Sequence, residues 1–348
     1  RLEIAACCFR KGEEIIMGKF EIRDFPEFSW SYSRHKLFDE CETCYGLHYY
    51  VAHNGWLKEA EALSKSAYRY KKTRSVKEAM SQIMSGEIHN HFYHEALTAE
   101  AMKKKIRTEL NNMFIQSRDK KEDWFKQPSK VSMLKEMVNF DTLNPVLTKK
   151  TLAEMDLFIT NFFAGVTMAE IMEETVVWHK ANNFNSFVVP SLDDLTIFAG
   201  LNVVYERASD GCTVVVNYKT DDEPSEKTQL GAITLYLTQE KGIRLDNIII
   251  RDEFLKTGTF KEYKVDAKLL KLLIAAIEDS VGMMSELLVD GDWKRNEPLA
   301  LNSFTRNPKH GELHSASNCP YCESVRKDIE KYPQGYFSFV NQKVSVPK

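Results

Sequence analysis

Apolar residues recur at helical spacing from about Leu57 to about Asn182, in a stretch rich in Ala, Glu, Lys, Met and Leu. Residues 76–102, "VKEAMSQIMSGEIHNHFYHEALTAEAM", combine this spacing with strong helix formers, which predicts helices with one apolar face. Turn-forming residues interrupt the pattern at "KQPSK" and "TLNPV". This part of the chain therefore predicts a helical lobe.

Short β-branched runs replace the helical pattern in the second half of the chain. The runs "NSFVVP", "LTIFAGLNVVYE", "GCTVVVNYKT" and "NIIIRDEF" are bounded by turn residues and predict strands. Residues 226–242 and 266–288 have the spacing of helices, and Gly242 is suited to end the first of them. This order predicts an α/β fold in which a small mixed sheet is flanked by helices on both sides.

These changes of pattern divide the chain into five ranges. Residues 1–16 precede the first Met and are interpreted as a leader or as artificially added residues, and residues 17–56 form an aromatic-rich N-terminal segment. Residues 57–185 form the helical lobe and residues 186–291 the α/β core. Residues 292–348 form a loop-rich closure that contains cysteine.

Composition limits the classes of function. The 348 residues carry a net charge of −3, which argues against a polyanion-binding surface over the whole molecule. No apolar run approaches the roughly 18 residues of a membrane span, and the start has no signal-peptide pattern. Seven cysteines, an odd number in a chain this long, do not indicate a disulfide scaffold. We therefore expect a cytoplasmic protein without membrane contact.

The run "TVVVNYK" carries the candidate chemistry. Side chains alternate along a strand, so Asn217 and Lys219 share one face while Tyr218 points to the other. A lysine beside a metal-bound carboxylate is a common arrangement for phosphodiester hydrolysis, because metal and lysine stabilise the developing charge. Here an amide stands where that carboxylate is expected. A second amide, Asn202, lies in the preceding apolar strand, where it requires hydrogen-bond partners.

Four blocks along the chain fall into a recognisable order. The first runs from an aromatic–Ser–x–Ser–Arg segment into a Tyr-rich helix, and its positions are Ser31, Ser33, Arg34, Phe38, Cys41, Tyr45 and Tyr49. Gly86–His89, Ala199–Asn202 and Val216–Thr220 follow, and Gln229 opens the next helix. In this order the blocks resemble the RecB-type PD-(D/E)xK nucleases, the group that includes the AddB nuclease domain and the CRISPR adaptation exonucleases.

The resemblance implies a PD-(D/E)xK restriction-endonuclease-like core with a helical insertion, and it implies roles for single residues. Lys219 is the expected catalytic lysine, Gln229 is the helix glutamine and His89 an auxiliary metal ligand. Asn202 and Asn217 stand where the family places aspartate ligands for Mg²⁺ or Mn²⁺. Because such cations require anionic oxygen, two neutral amides imply an impaired metal site.

Two CxxC pairs stand nearly three hundred residues apart. "CETC" and "CPYC" offer Cys41, Cys44, Cys319 and Cys322 as a four-thiolate site. The resemblance implies an iron–sulfur cluster that joins the two ends of the chain. The family divides its cysteines one plus three, whereas this chain has two plus two, so zinc remains an alternative. Four ordinary thiols are the third possibility.

Residues 101–150 contain 12 Lys or Arg against 6 Asp or Glu, and they place cations beside Trp124 and Phe125. Cations with a stacking aromatic suit single-stranded DNA, although a solvated helical face explains the same pattern. By resemblance, Arg34 and Lys36 are expected to bind DNA near the mouth of the nuclease channel.

Three functions follow from these observations. The first is a DNA-binding, catalytically impaired nuclease-fold component of a DNA-processing, repair or defence system, with a helicase or another DNA-processing subunit as a possible partner. The second is an active Mg²⁺- or Mn²⁺-dependent DNA exonuclease. The third is a protein-binding scaffold without DNA contact.

Overall fold

The computed structural model describes residues 25–53, 61–93, 98–138, 142–173, 176–299 and 303–305. Within these ranges ten α-helices are found: α1 (Tyr32–Glu40), α2 (Glu42–Gly46), α3 (Glu61–Lys71), α4 (Val76–Tyr93), α5 (Ala99–Asp119), α6 (Lys121–Lys126), α7 (Pro145–Ala164), α8 (Val166–Met172), α9 (Lys227–Leu235) and α10 (Ala267–Ser285). A π-helical turn follows α2 at Leu47–Val51, and another extends α9 at Tyr236–Glu240.

The described strands form two sheets. Their bounds are β1 (Trp30–Ser31), β2 (Thr73–Arg74), β3 (Met133–Leu134), β4 (Val176–Val189), β5 (Leu195–Arg207), β6 (Thr213–Lys219), β7 (Ile248–Phe254) and β8 (Thr259–Lys264). Six strands form a mixed sheet in which β5, β6, β7 and β8 are successive neighbours, and β5 also pairs with β1 and β4. The pairs β6–β7 and β1–β5 are parallel, and the other pairs of this sheet are antiparallel.

Helices cover both faces of this sheet, as the sequence predicts. On one face α9 and α10 pack on the sheet with the N-terminal elements, around residues such as Trp30, Leu230 and Ile277. On the other face α4, α5, α7 and α8 supply Met84, Phe158 and other apolar side chains. The mixed α/β architecture with a six-stranded sheet between helices is therefore confirmed.

Local capping fixes where several of these helices begin. The Asp266 side chain accepts a hydrogen bond from the backbone N–H of Leu269 at the start of α10. Asn144 caps α7 in the same way, with Pro145 at its first position. These contacts satisfy N–H groups that have no partner inside the helix, so polar residues at these positions stabilise the helix starts.

A third, smaller core lies within the helical lobe. It surrounds Trp124 of α6, which is 1% exposed, and it contains Met113 of α5 and residues of β3. β2 and β3 form a two-stranded parallel sheet beside it. The lobe is therefore helical with a small strand pair.

One boundary differs from the prediction, because β4 begins at Val176 within the range assigned to the lobe. The segment "WHKANNFN" is polar and does not alternate, so its sequence gives no strand signal. Pairing with β5, from Val176↔Arg207 to Val189↔Leu195, makes it a strand. In the described ranges no helix by itself has the length and apolar character to cross a membrane; α7 and α8, bent by 45°, meet those criteria only when taken together.

Candidate active site

An interruption in the sheet brings the candidate residues together. β4 pairs along one edge of β5, so β1 and β6 both lie on the other edge. There β1 pairs at Ile197 and Phe198, while the pairing with β6 ends at Val203↔Val216. In the described sheet, residues 199–202 therefore have no strand partner on this edge. We call this gap, with residues 217–219 of β6 facing it, the notch.

β6 presents its residues to two different sides at the notch. Tyr218 packs with the α4 and α7 side of the sheet, and the Asn217 side chain bonds to residues of the opposite side. The Nζ atom of Lys219 donates to Oε1 of Gln229, near the start of α9, over 3.2 Å. The alternation of Asn217 and Tyr218 read from the sequence is confirmed, and the structure also brings Lys219 and Gln229 together.

Asn217 is buried and acts as a donor. Its Nδ2 atom lies 3.3 Å from Oδ1 of Asp252 on β7 and 3.2 Å from Oγ of Ser225. The amide nitrogen of Asn217, and not its oxygen, therefore faces Asp252. The residue at the expected ligand position therefore supplies an N–H group.

Asp252 is a buried carboxylate, 0% exposed, beside Asn217. Its oxygens accept from the Ser225 N–H at 2.6 Å, the Ser225 hydroxyl at 2.5 Å and the Tyr263 hydroxyl at 2.9 Å, besides Asn217. Burial, followed by the hydrogen bond to Asp252, raises the pKa of Tyr263, so this hydroxyl remains a donor. Four donors compensate the loss of solvation of the buried carboxylate.

Asn202 lies at the other side of the notch. Its Oδ1 atom accepts the backbone N–H of Tyr218 over 3.0 Å, and so replaces the strand pairing that ends one residue away. It also lines a cavity of about 200 Å³ between the sheet and α4, with Ser81, Ser85 and Tyr218. Asn202 and Asn217 are thus neighbours across two strands, but their side chains have separate partners.

His89 lies on α4, which is the helix that covers the cavity. The preceding residue, Ile88, is one of the described residues that line the cavity, whereas His89 is not among them. The hydroxyls of Ser81 and Thr220 are 3.1 Å apart and connect α4 to the end of β6. Ser81 and His89 are eight residues apart, about 12 Å along a helix. His89 therefore lies on the helix that covers the cavity, but it is not one of the described residues that line the cavity.

These residues do not fit a divalent cation. Oδ1 of Asn202 is already engaged, Asn217 presents a donor, and Asp252 is surrounded by donors. Mg²⁺ and Mn²⁺ require several oxygen ligands, preferably anionic. Among the described residues, no group of three or more His, Cys, Asp or Glu side chains is placed to hold a metal ion.

The charged residues on either side of Asp252 point to the opposite face of β7. Arg251, 1% exposed, forms ion pairs with Glu170 at 3.1 Å and Glu262 at 2.6 Å. Glu253 accepts the Thr167 N–H at 2.8 Å, and burial raises its pKa. These charges hold α8 against the sheet, so they serve the fold.

Arg34 requires a correction. It was expected to bind DNA, but its side chain is 3% exposed and lies within a group of aromatic rings. Its guanidinium donates to the hydroxyls of Tyr45 and Tyr50 and to the Ser29 carbonyl. Tyr50 in turn donates to Asn296 at 2.7 Å. A guanidinium enclosed in this way joins parts of the fold and is not available to a phosphate.

Lys36 is at the surface near the start of α9. It forms an ion pair with Glu223 at 3.1 Å, and the neighbouring Tyr32 hydroxyl donates to Glu226 at 2.8 Å. Burial acts to lower the pKa of Lys36, but the hydrogen bond and charge of Glu223 outweigh it and raise the pKa. Lys36 therefore keeps a positive charge beside Glu223, in the segment that precedes α9.

The first cysteine pair is described and the second is not. Cys41 and Cys44 are both buried and share one small cluster at the start of α2. Between them, Thr43 hydrogen-bonds through its backbone N–H to the Thr305 carbonyl and through its hydroxyl to Phe304. Cys319 and Cys322 lie outside the described residues. Residues 303–305, which precede that second pair, therefore contact the first.

Several of the basic side chains in residues 101–150 form ion pairs with acidic residues, so fewer of them are unpaired than the composition suggests. Lys103 pairs with Asp156 at 2.9 Å and Lys105 with Glu87 at 2.9 Å. Arg107 also lies 3.6 Å from Asp156. Trp124 belongs to the lobe core and does not face solvent. Of the two predicted stacking aromatics, only Phe125 is exposed, at 47%.

The sequence pattern does not identify three residues of this site: Asp252, Ser225 and Tyr263. The run "IIIRDEF" does indicate buried charge in this region, because three charged residues directly continue a β-branched run typical of a buried strand. A charge at that position requires a partner, but the pattern does not identify which one.

Comparison with known proteins adds no family assignment. The sequence matches no protein-family model. It also has no significant match among curated proteins.

Proposed function

We propose that this chain is a nuclease-fold, DNA-binding component of a DNA-processing, repair or defence system, and that its metal site is impaired. The ordered resemblance to RecB-type nucleases, the mixed sheet between helices and the Lys219–Gln229 contact support this proposal. We expect it to act on single-stranded DNA in the cytoplasm, with a helicase or another DNA-processing subunit as partner.

The hydrogen bond from Asn217 to Asp252 carries the proposal. An aspartate at position 217 would put two carboxylates within about 3.3 Å in a buried site, which is unfavourable unless a proton or a cation lies between them. The amide removes this repulsion and supplies a hydrogen bond without any metal. Position 217 therefore suits a pocket that is stable without a cation.

The test measures DNA binding and DNA integrity in the same samples. A fluorescently labelled single-stranded oligonucleotide is titrated with the protein in EDTA and then in Mn²⁺, followed by a denaturing gel. We expect equal dissociation constants, uncut DNA and an affinity that falls steeply with salt. Absence of binding at moderate salt would instead favour the protein-binding scaffold.

The active-exonuclease alternative is supported by the preserved contact between Lys219 and Gln229. A lysine in this position can stabilise the negative charge that develops on a phosphodiester in the transition state of hydrolysis. Under this alternative the wild-type chain itself cleaves DNA in Mn²⁺. Under the impaired-site proposal, cleavage instead requires the double variant Asn202→Asp/Asn217→Asp, which provides the anionic oxygens that the site lacks. We expect it to gain Mn²⁺-dependent cleavage that disappears when Lys219→Ala is added; no gain would count against a nuclease-type pocket.

We also propose that Cys41, Cys44, Cys319 and Cys322 hold one iron–sulfur cluster or one zinc ion. The contacts of Thr43 with residues 304 and 305 support a connection between the two ends. An anaerobic absorption spectrum with metal analysis distinguishes the two, because only the cluster absorbs in the visible range. Loss of the bound metal in Cys41→Ser/Cys44→Ser is expected, and an unchanged metal content would contradict this site.

A further inference from the structure

The end of α3 and the strand that follows it concentrate positive charge. Residues 65–74, "KSAYRYKKTR", contain five Lys or Arg and no Asp or Glu. Among the described residues, no carboxylate forms an ion pair with Arg69, Lys71, Lys72 or Arg74. This differs from α5, whose cations Lys103 and Lys105 are paired with acidic residues. The charge of Arg69, Lys71, Lys72 and Arg74 is therefore not neutralised by any described carboxylate and is available to an external anion.

An exposed aromatic ring belongs to the same surface. Nε of Arg69 donates to the Phe125 carbonyl over 3.0 Å, and its guanidinium carbon lies 5.2 Å from the Phe125 ring centroid. Phe125 is 47% exposed although the neighbouring Trp124 is buried in the lobe core. The ring is thus held in place by its neighbours while nearly half of the residue's surface remains open to solvent.

Lys71 extends the surface towards the N-terminal elements. Nζ of Lys71 donates to the His48 carbonyl at 3.0 Å and lies 5.5 Å from the centroid of the Tyr49 ring. Burial, together with the charges of Lys72 and Arg34, lowers the pKa of Lys71. Mutual repulsion of this kind is relieved when an anion binds.

We propose that Arg69, Lys71, Lys72, Arg74 and Phe125 form a binding surface for single-stranded nucleic acid, which we call the α3 surface. The cations contact the phosphates and Phe125 stacks on a base, the combination found where single strands are bound without sequence preference. This inference rests on the proposed DNA-binding function. It keeps Phe125 as the stacking ring but takes the cations from α3 and β2, in place of those in residues 101–150 and of Arg34 and Lys36.

The experiment compares variants with equal charge change in two places. Lys72→Ala/Arg74→Ala removes two exposed cations from the α3 surface, and Lys149→Ala/Lys150→Ala removes two exposed cations from α7. Affinity for a labelled single-stranded oligonucleotide is measured over a range of salt concentrations. We expect the first variant alone to bind about tenfold more weakly, with a salt slope lower by about 1.4, since each single-strand phosphate contact contributes about 0.7.

Phe125→Ala tests the stacking separately from the charge. We expect a loss of affinity of about fivefold or more with an unchanged salt slope, because base–aromatic stacking is independent of counterions. Thermal melting of each variant verifies that the fold is retained. Equal affinities for all variants and the wild type would overturn the α3 surface but leave DNA binding intact. Absence of wild-type binding would overturn both proposals.

Discussion

At the residue scale, Asn217 shows why an amide stands where an acid is expected. It donates to Asp252, which has three further hydrogen bonds from Ser225 and Tyr263. A buried carboxylate is stable without a cation only when donors surround it. The amide is therefore part of a hydrogen-bond network that stabilises the buried Asp252 carboxylate without a cation.

Asn217→Asp and Asn202→Asp are predicted to have different effects on stability. The first replaces a donor by an acceptor beside Asp252 and should lower the free energy of unfolding by about 2–3 kcal/mol or more. The second keeps the oxygen that accepts the Tyr218 N–H, so a loss below about 1 kcal/mol is expected. Urea unfolding at neutral pH in EDTA measures both. Equal losses would show that Asn217 is not the donor described here.

His48 is predicted to make the fold sensitive to acid. Burial, and after it the charge of Lys71, lowers the pKa of His48 from 6.5 to about 3. The unfolded chain binds a proton near pH 6.5 that the folded chain takes up only near pH 3, so stability falls as the pH decreases between these values. Unfolding free energies across this interval should decrease less in His48→Gln than in wild type. A parallel decrease in both proteins would exclude His48 as the cause.

At the element scale, the approach of α9 to α10 depends on Gly231. A methyl group there would lie 3.0 Å from Cβ of Leu273 and 3.3 Å from Cδ1 of Ile277. This helix contact holds α9, and with it Gln229, against the sheet face that contains Asn217. The position of Gln229 beside Lys219 is therefore a consequence of helix packing.

Two glycine-to-alanine substitutions test this contact. Gly231→Ala should lower the free energy of unfolding by about 1–3 kcal/mol through overpacking. Gly282→Ala on α10 meets no atom within 4 Å and should be neutral or stabilising by up to about 1 kcal/mol. Thermal or urea unfolding of both variants provides the comparison. A tolerated Gly231→Ala would mean that α9 can move away from α10.

Most elements could be predicted from the sequence, for local reasons. The β-branched runs at 195–206 and 248–254 form strands, and Gly242, with φ of +65°, follows the π-helical extension of α9. The polar first half of β4 could not be predicted, because its structure depends on pairing with β5. Elements defined by long-range pairing leave little trace in their own sequence.

At the scale of the whole molecule, the sheet topology explains which site residues meet. The contact of Lys219 with Gln229 follows from consecutive elements, β6 and α9, and was predictable. The pairing of Asn217 with Asp252 requires β7 to lie parallel to β6, which the sequence pattern does not specify. The burial of Arg34 likewise depends on distant tyrosines and on Asn296. Hydrogen-bond partners that only the tertiary structure brings together, such as Asn217 and Asp252, could therefore not be predicted from the sequence.

The measurement that tests the account most directly is a cleavage assay of the wild-type chain in Mn²⁺ on labelled single-stranded DNA. Lys219→Ala, prepared in the same way, controls for contaminating nuclease. We predict that the wild-type chain binds this DNA and leaves it intact, as the variant does. Cleavage that requires Mn²⁺ and is lost in Lys219→Ala would contradict the impaired metal site.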